Sequence, residues 1–130
     1  MYALDTSTVV NYLRGRGRVA ARMLSLSPRE VFLPAIVLYE LELGMEKSAQ
    51  SSRRRNELDG LTRVIQLLPF GPGEARVAAR LRARLETEGR RIGPYDTLIA
   101  ATALAHNAVL VTQNVEELHR VDGLLVEDWT

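Results

Sequence analysis

Short apolar runs alternate with stretches of helical spacing along the whole chain, and few folds can accommodate that rhythm. Tyr2-Ala3-Leu4, Val31-Phe32-Leu33, the stretch from Val64 to Leu68, Val109-Leu110-Val111 and Leu124-Leu125-Val126 each have the length and composition of a buried strand. Between them, Val9, Val10 and Leu13 fit one face of a short helix, and Val19, Met23 and Leu24 fit a second that Ser27-Pro28 ends. Pro34 to about Lys47 has helical spacing with Ile36, Val37, Leu41 and Gly44 on one face. The polar, arginine-rich stretch from Ala49 to Leu61 predicts a helix leading into the third strand. Gly73 to Glu88 carries an apolar stripe of Val77, Ala78, Leu81 and Leu85, and a further helix starts at Gly93-Pro94-Tyr95-Asp96 and runs to about His106. Strand–helix alternation of this kind predicts an α/β fold, a central parallel sheet of about five strands flanked by helices on both faces, with right-handed crossovers. At 130 residues the chain suits one domain, 1–130, rather than two. In such sheets ligands gather at the carboxyl ends of the strands, and Asp5 and Asn114 each follow one.

Composition narrows the chemistry. There is no cysteine, so disulfides, thiolate zinc sites and a cysteine nucleophile are excluded, and the two histidines, His106 and His119, stand 13 positions apart. Any metal would need oxygen ligands. No apolar run spans a bilayer, and the opening Met-Tyr-Ala-Leu-Asp has neither a basic nor an apolar export region, which predicts a cytoplasmic protein with no membrane partner. The cations are 16 arginines and one lysine, Lys47, for a net charge of +1. Arginine's planar fork suits phosphate and so allows a nucleic-acid partner. Arg76, Arg80 and Arg84, at four-residue spacing, read as a solvated helix face.

The acidic positions carry the functional signal. Asp5 can cap the first helix, Asp96 can cap the helix before Ile99, and Glu117 can be a solvated surface group. Glu40 resists so plain a reading, because it lies on the apolar side of its helix with Ile36, Val37 and Leu41 and needs a partner there. A divalent cation shared with Asp5 and Asp96 would supply one. The chain has no G-x-x-x-x-G-K-[ST] phosphate loop, no G-x-G-x-x-G after the first strand and no G-x-S-x-G elbow.

Four segments in order carry a resemblance: Asp5-Thr6-Ser7; Pro34-Ala35-Ile36-Val37-Leu38-Tyr39-Glu40-Leu41 with Gly44; Arg91-Ile92-Gly93-Pro94-Tyr95-Asp96 running into Leu98-Ile99-Ala100-Ala101; and Leu110-Val111-Thr112-Gln113-Asn114 with Glu117. Together with Arg120-Val121-Asp122-Gly123-Leu124 and Glu127-Asp128-Trp129, they make nearly the whole chain similar to PIN-domain ribonucleases of the VapC toxin type, in the branch that includes initiator-tRNA-cleaving endonucleases. The resemblance implies that Asp5, Glu40 and Asp96 are catalytic acids that hold Mg²⁺, with Mn²⁺ as a substitute. For the fourth acid it offers Glu117, five residues after Thr112, with the place of Asn114, aspartate in many relatives, as the alternative. Ser7 and Thr112 would be supporting hydroxyls. Gln113 and Tyr95 differ from residues common in this branch, which bears on the choice of RNA.

The implied reaction is hydrolysis of RNA, tRNA above all, by metal-activated water, leaving 3′-hydroxyl and 5′-phosphate ends. Arg14, Arg16 and Arg18 are candidates for holding the RNA backbone. The implied partners are a second copy of the chain, in a homodimer, and a VapB-type antitoxin that places a basic side chain in the acidic pocket, forming a higher assembly. Two other functions compete. A metal-dependent nuclease acting on DNA or other structured nucleic acid shares the acids, but the chain has no extra nucleic-acid domain. A receiver-like Mg²⁺-binding signalling module shares the length and sheet, but it needs a lysine after its last strands and an aspartate after the third, where this chain has Pro69-Phe70.

Overall fold

The structure is a computed structural model that describes residues 1–48 and 52–130. Strand β1 (Tyr2–Leu4) leads into helices α1 (Thr6–Leu13) and α2 (Val19–Leu24), and a 3₁₀ turn (Pro28–Glu30) precedes β2 (Val31–Pro34). Helices α3 (Ala35–Lys47) and α4 (Ser52–Val64) connect to β3 (Gln66–Leu68), and α5 (Pro72–Thr87) is followed by α6 (Pro94–Ala105). Strand β4 (Val109–Val111), helix α7 (Val115–Leu118) and strand β5 (Val126–Glu127) complete the order. The sheet is wholly parallel, in the order β3-β2-β1-β4-β5, and helices flank it, as the alternation predicts.

Strand β1 is central. Tyr2 pairs with Val31 on one side and Val109 on the other, so Ala3 and Leu4 are fully buried. A parallel strand covered on both faces loses the alternation of a half-exposed one, and all four residues of β2 are accordingly buried. At the edge, β3 leaves Gln66 and Leu67 exposed. Leu33, Leu58, Ile99, Leu110 and Leu118 fill the core, each contributing about 1.5–3 kcal/mol by leaving water. Ala100, Ala101 and Ala103, all fully buried, let α6 lie close to α5 and the sheet.

Two strand boundaries differ from expectation. Val64 closes α4, and the Ile65 amide still donates to Leu61 O at 3.1 Å, so the helix consumes the first two residues of that apolar run. The last strand is Val126–Glu127 rather than Leu124–Val126: Leu124 is buried before the strand begins, and pairing to β4 falls on Val126 and Glu127. The helix expected from Ala49 is seen from Ser52, and positions 49–51 lie outside the described residues.

Two contacts tie distant parts together. His106 Nε2 lies 3.0 Å from Glu74 Oε2, joining the end of α6 to the start of α5, which gives this histidine a structural place. The chain ends meet where the Arg18 amide donates to Trp129 O at 3.0 Å and the Arg22 guanidinium lies over the rings of Tyr2 and Trp129, 5.9 and 5.1 Å from their centroids.

Candidate active site

The order of the strands creates the site. From β1 the chain moves outward through β2 and β3, then returns to the other side of β1 with β4 and β5, so the switch lies between β1 and β4. Asp5 stands at the carboxyl end of β1, and its amide donates to Val111 O, at the end of β4, at 3.0 Å. Its side chain is buried, and Oδ1 accepts from the Thr8 amide and the Ser7 hydroxyl, both at 2.9 Å. Helix capping therefore accounts for one carboxylate oxygen. Among the described residues the other accepts no hydrogen bond.

Glu40, half-buried on α3, finds its partner in Thr6, whose hydroxyl donates to Oε1 at 2.7 Å. Asp96 is not a cap. Gly93 occupies the N-cap of α6, which puts Asp96 in the first turn, where its carboxylate accepts no hydrogen bond among the described residues. Burial first, then the negative charges of Glu117, Asp5 and Glu40, push the Asp96 carboxyl up to about 6. The structure thus brings near one another all four acids singled out in the sequence, from the β1–α1 junction, α3, α6 and α7.

Glu117 differs in kind, because both its oxygens are engaged. Oε1 accepts from the Gly93 amide at 2.9 Å and Oε2 from Asn114 Nδ2 at 2.6 Å. Those two hydrogen bonds, the Asn114 one foremost, hold its carboxyl below the usual value against the opposing effect of burial, with the Arg120 charge adding to them. Asn114 and Glu117, alternatives in the sequence, form one hydrogen-bonded unit. Thr112 is fully buried and its hydroxyl accepts from the Asn114 amide at 3.0 Å, so it braces the turn that carries this unit. Ser7 Oγ links the two halves of the site, donating to Asp5 and accepting from the Gln113 amide at 3.4 Å. Thr6 and Gly93 are the contributors that spacing did not reveal. Thr6 stands next to Asp5, but only the fold shows that it reaches Glu40, 34 positions on.

Beside Thr6 and Glu40 a cleft of about 260 Å³ opens toward Arg14, Leu41, Met45 and Leu58. The donor set suits a hard divalent cation, because it is all oxygen. The carboxylates are near enough to repel one another, and among the described residues no three acidic or histidine side chains already converge on one coordination point.

A parallel sheet with acids gathered at its switch point defines the class, and the family model described as PIN domain matches residues 2–124. Over 99% of this chain and 98% of the relative, the sequence is 30% identical to the tRNA(fMet)-specific endonuclease VapC of Shigella flexneri. It is 32% identical to Ribonuclease VapC2 of Rickettsia felis over 99% of this chain and 98% of that protein. The crystal structure of VapBC2 from Rickettsia felis bound to a DNA fragment from its promoter superposes with a TM-score of 0.92 at 30% identity, covering 99% of this chain and 98% of that one. The chain belongs to the PIN-domain family and, within it, to the VapC ribonucleases. PIN-domain nucleases are generally metal-dependent.

Proposed function

We propose that this protein is the toxin of a toxin–antitoxin pair, a Mg²⁺-dependent endoribonuclease that cuts tRNA to 3′-hydroxyl and 5′-phosphate ends. The observation that carries this reading is that Glu117, Asp5 and Glu40 lie near enough to Asp96 to act on its charge, with carboxylate oxygens on Asp5 and Asp96 that accept no hydrogen bond among the described residues. Asp5, Asp96 and Glu40 would hold the ion. Bound Mg²⁺ or Mn²⁺ would lower the pKa of water and neutralise charge building on the phosphate. Asp96, in the first turn of α6, orients the attacking water. Ser7 and Thr6 hold Asp5 and Glu40 in place, and Glu117 with Asn114 fixes the Gly93 turn from which Asp96 projects.

The same charge explains silencing, since a basic side chain from an antitoxin would occupy a pocket that repels anions. A groove of about 630 Å³, lined by Met23, Leu24, Leu61 and Val64, with Leu24 88% exposed, suits the apolar part of that antitoxin segment. VapBC complexes among the structural relatives support this partner. Among the described residues no helix is long and apolar enough to cross a membrane, and cytoplasmic action as a homodimer completes the reading.

The test is a cleavage assay of antitoxin-free protein on a total tRNA pool with Mg²⁺, Mn²⁺ or EDTA, with end-group analysis. Asp5→Asn and Asp96→Asn should each lower the rate by at least about a thousandfold while leaving the circular dichroism spectrum unchanged. Undiminished cleavage by both folded variants would sink the assignment of the site.

A further inference from the structure

Two exposed aromatic rings flank the acidic pocket, and none of the site's hydrogen bonds uses them. Tyr39 immediately precedes Glu40 on α3, and Tyr95 immediately precedes Asp96 in the first turn of α6. Their rings meet edge to face, 5.6 Å between centroids and 61° between planes, and the hydroxyl oxygens lie 3.3 Å apart, within hydrogen-bond range. Even so, Tyr39 is 47% and Tyr95 41% exposed.

We propose that the Tyr39–Tyr95 pair is the stacking platform for a nucleobase beside the scissile phosphate, so that the enzyme grips an unstacked nucleotide of its RNA at the mouth of the pocket. This rests on the reading of the site as a ribonuclease and adds how that site holds its substrate.

Electrostatics leads to the same place. RNA is a polyanion, and Asp5, Glu40, Asp96 and Glu117 make the pocket acidic. Beyond what a bound cation and the Arg14 side of the cleft supply, stacking of a base on an aromatic ring adds an attraction that the acids' charge does not oppose. The pair is also preorganised: hydroxyl contact and ring contact together hold two side chains from separate helices in one arrangement before RNA arrives.

The experiment compares wild type with Tyr39→Ala, Tyr95→Ala and the matching phenylalanine variants on a synthetic stem–loop RNA, and on copies carrying one abasic nucleotide on either side of the cut. The alanine variants should raise KM about tenfold with kcat changed by less than about threefold, and phenylalanine should restore most of the loss. An abasic nucleotide at one flanking position should reproduce the defect in wild type and add little to it in the alanine variants. A wild-type KM in both alanine variants, or an abasic penalty of equal size in wild type and variants, overturns the proposal. So does a changed sedimentation coefficient with an unchanged KM, which would make the pair a contact between protein chains. Equilibrium binding of the same RNAs in EDTA separates this idea from the nuclease reading: wild type that prefers the intact RNA over the abasic one there, yet cuts neither when Mg²⁺ or Mn²⁺ is supplied, keeps the platform and removes the nuclease.

Discussion

Asp96 is where the site's function works against the fold. Its carboxyl titrates near 6 in the folded chain and near 3.8 when free, so between those values the folded state binds more protons and stability falls as pH rises. Above about pH 6 the ionised group opposes folding in full. In EDTA at pH 7, Asp96→Asn should therefore stabilise the protein by about 1 kcal/mol, a figure reduced for the group's partial exposure, and the gain should fade toward pH 4. Thermal unfolding across that range checks it. Adding millimolar Mg²⁺ should raise the wild-type Tm and move that of Asp96→Asn far less, because a ligand that binds only the folded state stabilises it. Glu40 stood out in the sequence because it lies on the apolar side of its helix, whereas Asp5 and Asp96 also read as helix caps and gained their catalytic role from the family resemblance. The Thr6 hydrogen bond to Glu40 could not stand out, since it depends on how α1 and α3 are placed and no spacing rule encodes that.

At the scale of elements, α7 is short but governs α6. Through Glu117 it grips the Gly93 amide, one of the free donors at the start of α6, and through Asn114 it fixes its own side of the contact. Glu117→Ala should loosen that turn: hydrogen exchange at Gly93 should accelerate by about tenfold, and the Asp96 carboxyl should titrate closer to its ordinary value, because Glu117 is the largest charge acting on it. Unchanged exchange at Gly93 would mean that the turn is held by other contacts. Central elements were legible because burial on both faces writes continuous apolar runs into β1, β2 and β4. The edge strands were not. β3 carries exposed Gln66 and Leu67, and β5 is two residues long, so apolar runs nearby mark the core without marking the strand.

Across the whole molecule, the two ends of the chain are fastened to each other. Gly17 has a φ of +65°, and a Cβ there would lie 2.7 Å from Thr130 Cα, so any side chain meets both backbone strain and a backbone clash. Gly17→Ala should cost about 1–2 kcal/mol and lower Tm by about 5 °C, read by thermal unfolding, with the change at Gly15, whose Cβ would meet open space, costing less. The same connectivity decides when the acids can assemble. β1 is made well before β4, one of its two sheet partners, so Tyr2 waits for Val109. While the chain is being made, Asp5 emerges long before Asp96 and Glu117, and the crevice between β1 and β4 has only one wall. A ribosome translating this message therefore carries an unfinished nuclease beside its own RNA, and cutting power arrives only once Asp96 and Glu117 have followed Asp5 out.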